Sequence, residues 1–257
     1  MGTNTTVVHV AESFASGTAS AITDFVRNYP DADHHLVYTF RPEALVDPRM
    51  LNTFESATAM PDGTLSRIRF LRRHLHGVRR QTGGRVIVHA HSSKAGGYVR
   101  TAVRKSRRLH LVYTPHCYSF ERRDVPAPVR AGFRAMEWIL SFNTTVVGAC
   151  SPREAVLSRW TPTAPRVVTV PNVQPPGLPQ VSVPPTGGRL RIVGSGRLGP
   201  QKDPEFFAAA FAAAVAAHPG IEAVWIGGGD DHYVDTLRRS GVEVTGWLPR
   251  HEALDIM

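Results

Sequence analysis

An arginine and a lysine, Arg197 and Lys202, stand five residues apart in the stretch RIVGSGRLGPQKDPEFF, residues 191–207. A strand-like apolar run precedes them and ends in glycines, and Asp203-Pro204-Glu205 after them reads as a capped helix start. Such a mouth suits phosphate oxygens: Arg197 offers a fork for bidentate contact and Lys202 a mobile point charge. Together they can hold a diphosphate and stabilise it as a leaving group. Read alone, the two cations fit a solvated surface pair equally well. Two other phosphate-binding devices share the ingredients. Gly194, Gly196 and Gly199 satisfy G-x-G-x-x-G, but a dinucleotide site needs the helix to begin inside the motif and an acidic residue about 20 positions on. Here the helix begins at Asp203, and the next strand-like run, EAVWIGG, ends roughly thirty residues after Gly196. A Walker A loop needs Ser or Thr after its lysine, and Asp203 occupies that place.

Further candidates end strand-like runs. His91 and Ser92 close VIVHAHS, and His116 closes LVYTPH with Cys117 beside it. With twelve histidines in the chain, each alone fits a structural role. Cys117 reads as a small buried residue, and Glu137 and Trp138 as packing residues near a helix end. No clustered Cys/His ligand set is read from the sequence, and the acidic pair Asp230-Asp231 reads as a helix start, so no metal is expected.

The elements that must position these residues alternate along the chain. The strand candidates are TVVHVAE, HHLVYTF, RVIVHAH, HLVYTPH, TTVVGAC, RVVTVPN, RLRIVGS, EAVWIGG and VEVTG. Helical stretches such as GTASAITDFVRNY, KAGGYVRTAVRKS, VRAGFRAMEWILSF and PREAVLSRW separate them. Ser151, Pro152 and Glu154 form a capping-box signature. Near-continuous apolar strands between helices predict a doubly wound α/β protein with parallel strands. The segment 173–188 interrupts the alternation with five prolines and three glycines, which predicts a stiff linker. The expected organisation is an N-terminal Rossmann-like domain over 1–172, a linker over 173–188 and the first half of a second domain over 189–257.

Composition bounds the partners. The chain has 257 residues, 30 Lys+Arg against 21 Asp+Glu and a formal charge of +9, which favours anionic partners. No apolar run reaches the ~18 residues of a membrane span. Two cysteines give no disulfide framework and predict a reducing cytosol. The basic segment 66–80 carries Ile68, Leu71, Leu75 and Val78 at helical spacing with arginines opposite. It reads as a solvated surface helix, with peripheral contact to an anionic membrane face as the second reading and nucleic acid not expected.

In combination, GSGRLGPQKDPEFF, VWIGGGDDHYVDTLRRSGVEVTGWLPRHEA, RVVTVPNVQP, VIVHAHSSKAGGYVRTAVRKS, LVYTPHCYSF and TTVVGACSPREAVLSRW resemble retaining, family 4-type glycosyltransferases of the GT-B fold that build surface polysaccharides. The resemblance covers nearly the whole chain. It departs at Val173, where the family commonly has glycine, and at Ser16-Gly17, where a double glycine is frequent. It implies that Arg197 and Lys202 bind the diphosphate of a UDP- or GDP-sugar, with backbone amides near Gly17 on the same diphosphate. It also implies that His116 faces the transferred sugar, and that His91 and Ser92 line the acceptor side. The implied reaction is metal-independent transfer, with retention, to a hydroxyl of a glycan or lipid-linked acceptor, in the cytoplasm or at the inner membrane face. The family pattern continues beyond the Gly-Trp turn at Gly246-Trp247, so a truncated, weakly active second domain is expected. A non-catalytic nucleotide-binding module and another two-Rossmann enzyme, such as a sugar-nucleotide epimerase or a dehydrogenase, are the rival readings.

Overall fold

A computed structural model describes residues 5–39, 48–162, 165–172 and 190–257. The linker expected at 173–188 lies outside them. The described residues form two compact units, one before and one after that segment.

The first unit is a parallel sheet of β1 (Thr5–Ala11), β2 (Ala32–Tyr38), β3 (Ser56–Ala59), β4 (Val86–His91), β5 (Leu109–Thr114), β6 (Val146–Ala149) and β7 (Arg166–Thr169). Their spatial order is β3-β2-β1-β4-β5-β6-β7. Between them run α1 (Ser16–Asn28), α2 (Thr64–Gln81), α3 (Ser93–Ala102), α4 (Ala127–Ser141) and α5 (Pro152–Leu157). The order reverses direction beside β1, the switch point of a doubly wound sheet, where the carboxyl ends of neighbouring strands open a crevice. Val8, Val10, Val86, Val88, Leu109 and Leu111 are buried in the apolar core, as strands covered on both faces require.

The second unit has β8 (Arg191–Ser195), β9 (Glu222–Ile226) and β10 (Glu243–Gly246) as a parallel sheet of order β10-β9-β8. The helices α6 (Pro204–Ala217), α7 (Asp231–Arg239) and α8 (Arg250–Ile256) accompany it. Phe211, Trp225, Leu237 and Val242 form its core.

Several expectations change. β3 was not among the predicted strands: Ser-Ala-Thr-Ala is short, weakly apolar and largely exposed at the sheet edge, so only its pairing to β2 identifies it. Ser151 caps α5 through its hydroxyl, but Glu154 does not close the box. Its carboxylate turns into the sheet instead, accepting from the Cys117 amide at 2.8 Å and the Cys150 amide at 2.6 Å. Cys117 is exposed rather than buried, because the chain turns outward there at φ 97°. Trp138 is 42% exposed but packs on Phe142, while its neighbour Glu137 is buried.

Glu137 has a specific partner set. Its carboxylate pairs with Arg100 at 2.8 Å and accepts from the Tyr113 hydroxyl at 2.8 Å, with both charged side chains 3% exposed. The Arg100 guanidinium also lies 3.9 Å over the Tyr113 ring. Glu137→Ala should leave a buried guanidinium unpaired and cost about 3–5 kcal/mol, read as a lowered urea midpoint; a loss below about 1 kcal/mol would show the pair to be solvated.

Candidate functional site

In the first unit, the carboxyl edge of the sheet gathers the loop after β1, Ser92 after β4, His116 and Cys117 after β5, and Cys150 after β6. Three residues there hold left-handed backbone without being glycine: Ser92 (φ 86°), His116 (φ 53°) and Cys117 (φ 97°). Such conformations cost about 1–3 kcal/mol each and persist where surrounding contacts fix them. The contacts are visible: Ser92 N donates to Thr114 O at 2.9 Å, Ser92 Oγ caps α3 by accepting from Ala95 N, and Glu154 holds the Cys117 amide.

α1 begins at this edge. Its cap position is Ala15, which offers no side-chain acceptor, and its first turn carries no acidic residue. The free amides and the positive end of the helix dipole are left to solvent or an anion. Gly17 lies inside this first turn rather than in the preceding loop, and a Cβ there would meet nothing within 4 Å. The backbone thus does not demand glycine; its absent side chain leaves open space in front of the amides.

The sheet interior holds what no local motif signalled. His9, His89 and His91 are buried side by side, with His34 beyond them on β2. His9 N atoms contact His34 Nδ1 at 3.0 Å and His91 Nε2 at 3.2 Å, and His91 Nδ1 contacts His116 Nε2 at 3.3 Å. His89 Nε2 lies 2.8 Å from Thr114 Oγ1. Phe25 of α1 covers His89 and His91, with ring centroids at 5.1 and 5.9 Å. Desolvation is the main cause that keeps these imidazoles neutral: it lowers His89 to about 3 and His116 to about 4, and holds His9 and His91 well below the usual range, with neighbouring histidines adding to the effect for His9, His89 and His91. His9, His89 and His91 also offer ligand atoms within 4.8 Å of one another, the spacing of a candidate metal site. Strand register could have hinted at the group, since VVHVA and IVHAH both place histidine mid-strand; which strands are neighbours could not be read locally. His91, expected to line the acceptor side, is wholly buried, and both its ring nitrogens are engaged inside the unit.

In the second unit, β8 ends at Ser195 and the loop Gly196–Asp203 leads into α6. Gly196 N donates to Ile226 O and Leu198 N to Gly228 O, each at 2.9 Å, so the loop is zipped to the glycines after β9. A Cβ on Gly227 would collide with the Gly196 carbonyl, and one on Gly229 with the Leu198 carbonyl. Gly227 and Gly229 thus serve close backbone approach. Asp203 caps α6 by accepting from Phe206 N at 3.1 Å, placing the helix start well past Gly199. A Cβ on Gly196 would stand 2.8 Å from Lys202 Cε, so the Lys202 side chain folds back across Gly196. Arg197 and Lys202 are both exposed, and neither has an ion-pair partner among the described residues. Two exposed cations thus stand on the loop that follows β8, at the carboxyl edge of a parallel sheet, where an anion could meet them.

No family model and no curated protein matches the chain. Solved structures do. Over 95% of this chain and 70% of theirs, the fold matches Anabaena HepE in complex with UDP and glucose, at TM-score 0.68 and 16% identity. The lipopolysaccharide outer core galactosyltransferase WaaB aligns over 98% of this chain and 71% of its own, at TM-score 0.63 and 15% identity. An E. coli structure described as trehalose-6-phosphate bound with UDP-2-fluoro glucose aligns over 98% and 76%, at TM-score 0.66 and 11% identity. The fold is of the GT-B type. At such identities the likeness shows the fold, and chemistry has to be argued from the side chains. Among the described residues no helix is long and apolar enough to cross a membrane.

Two predictions test this geometry. Buried neutral histidines gain protons in the unfolded chain below about pH 6.5 but not in the folded one, so the folded state should lose stability as pH falls from 6.5 towards 4. Each such histidine adds up to about 1.4 kcal/mol per pH unit to the slope, measurable by urea denaturation between pH 7 and 5. A flat profile would mean the imidazoles take up protons as readily in the folded chain as in the unfolded one. Gly227→Ala, at φ 130° and against the Gly196 carbonyl, should destabilise the second unit by more than about 1 kcal/mol in the same assay, whereas Gly199→Ala should be nearly silent.

Proposed function

We propose that this chain is a glycosyltransferase that moves a sugar from a UDP- or GDP-linked sugar donor to an acceptor hydroxyl with retention of configuration. The observation that carries the reading is the unpaired Arg197 and Lys202 on the glycine-zipped loop after β8. As the glycosidic bond breaks, negative charge builds on the departing diphosphate. Arg197 grips two of its oxygens and Lys202, draped over Gly196, neutralises a third; preorganised cations lower the barrier by meeting charge where it develops. These two side chains supply the charge that a divalent ion supplies elsewhere, so the reading includes metal-independent transfer. The amides of α1 around Gly17 add a further electropositive patch for the diphosphate. The transferred sugar is assigned to His116, and Ser92 to the acceptor side.

The fold likeness to proteins described with UDP, with UDP and glucose or as a galactosyltransferase supports the same reading. A glycan or lipid-linked acceptor of surface polysaccharide synthesis fits it. The outer face of α2, with Arg69, Arg72, Arg73, Arg79 and Arg80 exposed while Leu71 and Leu75 are buried, supports peripheral contact with an anionic membrane face. The domain division follows the same reading, with 1–172 on the acceptor side, 173–188 as linker and 189–257 holding the nucleotide.

The test is a thermal-shift titration with UDP, GDP, ADP and NAD beside Arg197→Ala/Lys202→Ala. One nucleoside diphosphate should stabilise the chain, by about 2.7 kcal/mol at a hundredfold excess over Kd, and the double variant should lose that response. Losing each charge-assisted bond weakens binding about 10–150-fold. Stabilisation by NAD instead would sink the reading in favour of a dehydrogenase, and conversion of the sugar donor without an acceptor would favour an epimerase. Transfer that EDTA abolishes would contradict metal independence.

A further inference from the structure

The buried histidines are one continuous row. His34 on β2, His9 on β1, His91 on β4, His116 beyond β5 and Cys150 beyond β6 lie on successive neighbours of the sheet. His9 pairs with Leu36 on one side and His89 on the other, and His91 pairs with Thr114. Each step from β2 to β5 thus advances two residues, which keeps every side chain on the same face. Cys150 follows the end of β6, and its Sγ lies 3.4 Å from the His116 ring.

The row has a direction. His34 Nε2 lies 2.7 Å from the Tyr29 carbonyl oxygen, which can only accept. A neutral His34 therefore carries its proton on Nε2 and leaves Nδ1 bare. His9 then donates from Nε2 to His34 Nδ1, His91 from Nε2 to His9 Nδ1, and His116 from Nε2 to His91 Nδ1, over 3.0, 3.2 and 3.3 Å. A neutral imidazole has one donor and one acceptor, so a single carbonyl dictates all four tautomers. At the far end the bare His116 Nδ1 faces Cys150 Sγ at 3.4 Å. Burial, then the Glu154 carboxylate, pushes the Cys150 thiol up to about 12, so it is an S–H donor and closes the chain.

We propose that His34, His9 and His91 are positioning residues that lock His116 in its Nε2–H tautomer, so that His116 Nδ1 presents a permanent acceptor to a hydroxyl of the transferred sugar. The tautomer chain stands on the hydrogen bonds alone; the sugar contact rests on the proposed function. The weak S–H···N bond is the link that a sugar O–H displaces, because the other three rings are packed in place and a hydroxyl is the stronger donor. The locked tautomer refuses a carboxylate or carbonyl at that spot, since Nδ1 has no proton to give, and it excludes His116 as a general acid. The candidate metal arrangement of His9, His89 and His91 competes for the same nitrogens. In the row, His9 Nδ1 and His91 Nε2 face each other as acceptor and donor, and His89 Nε2 faces Thr114.

Histidine nitrogens of the 15N-labelled full chain, read by long-range 1H–15N correlation at neutral pH, report the tautomers directly. The expected result is four Nε2–H tautomers at His9, His34, His91 and His116. A Nδ1–H tautomer or a protonated ring at any of the four overturns the chain. His9→Phe keeps a buried ring and cuts the row, so His116 should become a mixture of tautomers; an unchanged His116 overturns the lock. Zn2+ alone, titrated into the same sample, should leave the pattern in place, and stoichiometric transfer of His9, His89 and His91 to metal-bound shifts would replace the chain by a metal site. Added UDP-glucose or GDP-mannose, whichever nucleotide stabilises the chain, should shift His116 Nδ1 as a stronger donor replaces Cys150. If the nucleotide binds and His116 Nδ1 does not move, the sugar contact is wrong while the chain holds. If no nucleotide binds, the failure lies with the proposed function, and the tautomer spectrum still decides the lock.

Discussion

Parallel pairing on both sides of β1 is the constraint on which the first unit depends. A parallel ladder aligns the carboxyl ends of its strands, so loops distant in sequence emerge along one edge. It also makes side chains two residues apart on adjacent strands into diagonal neighbours on one face. Both consequences meet in the same place. The edge collects Ser92, His116, Cys117 and Cys150, and the diagonal beneath it carries the histidines that hold His116. The left-handed backbone at Ser92 and Cys117 is tolerated because the Thr114 carbonyl and the Glu154 carboxylate satisfy their amides.

Polar groups in such an interior are stable only when they satisfy one another. The first unit solves this twice. The Arg100–Glu137–Tyr113 group neutralises charge with charge and stacks a guanidinium on a ring. The histidine row uses no charge at all: each imidazole gives one proton and takes one, with a carbonyl at one end and a thiol at the other. The two solutions differ in consequence. An ion pair is symmetric about its partners, whereas a row of imidazoles is polarised from end to end and hands a fixed hydrogen-bond sense to whatever stands at its exit.

The second unit is organised by backbone contact. Its glycines permit the loop after β8 to lie against the loop after β9, and among the described residues no carboxylate pairs with the exposed Arg197 and Lys202 side chains. Elsewhere exposed arginines do find acids, as Arg153 does with Glu121 and Arg191 with Glu222. Like the outward arginines of α2, Arg197 and Lys202 have no acid against them among the described residues; under the proposed function the donor's diphosphate takes that place.

Alternation of apolar strands with amphipathic helices made the α/β class and nine of the ten strands among the described residues legible in the sequence, because periodicity is a local property. The polar edge strand Ser56–Ala59 escaped because nothing in its own residues requires pairing. The Asp203 cap and the Arg-Lys loop were likewise readable, since both act within a few residues. Tertiary structure alone decided the rest. Glu154 looked like a helix cap and became the bridge between two strand ends; Cys117 looked buried and is exposed; His91 looked like an edge residue and lies inside. The histidine row joins positions as far apart as Tyr29 and Cys150, and only strand order and register bring them together. Sequence determines what each segment can form because backbone propensity and side-chain period are short-ranged. Which protons point where depends on neighbours that only the closed sheet supplies.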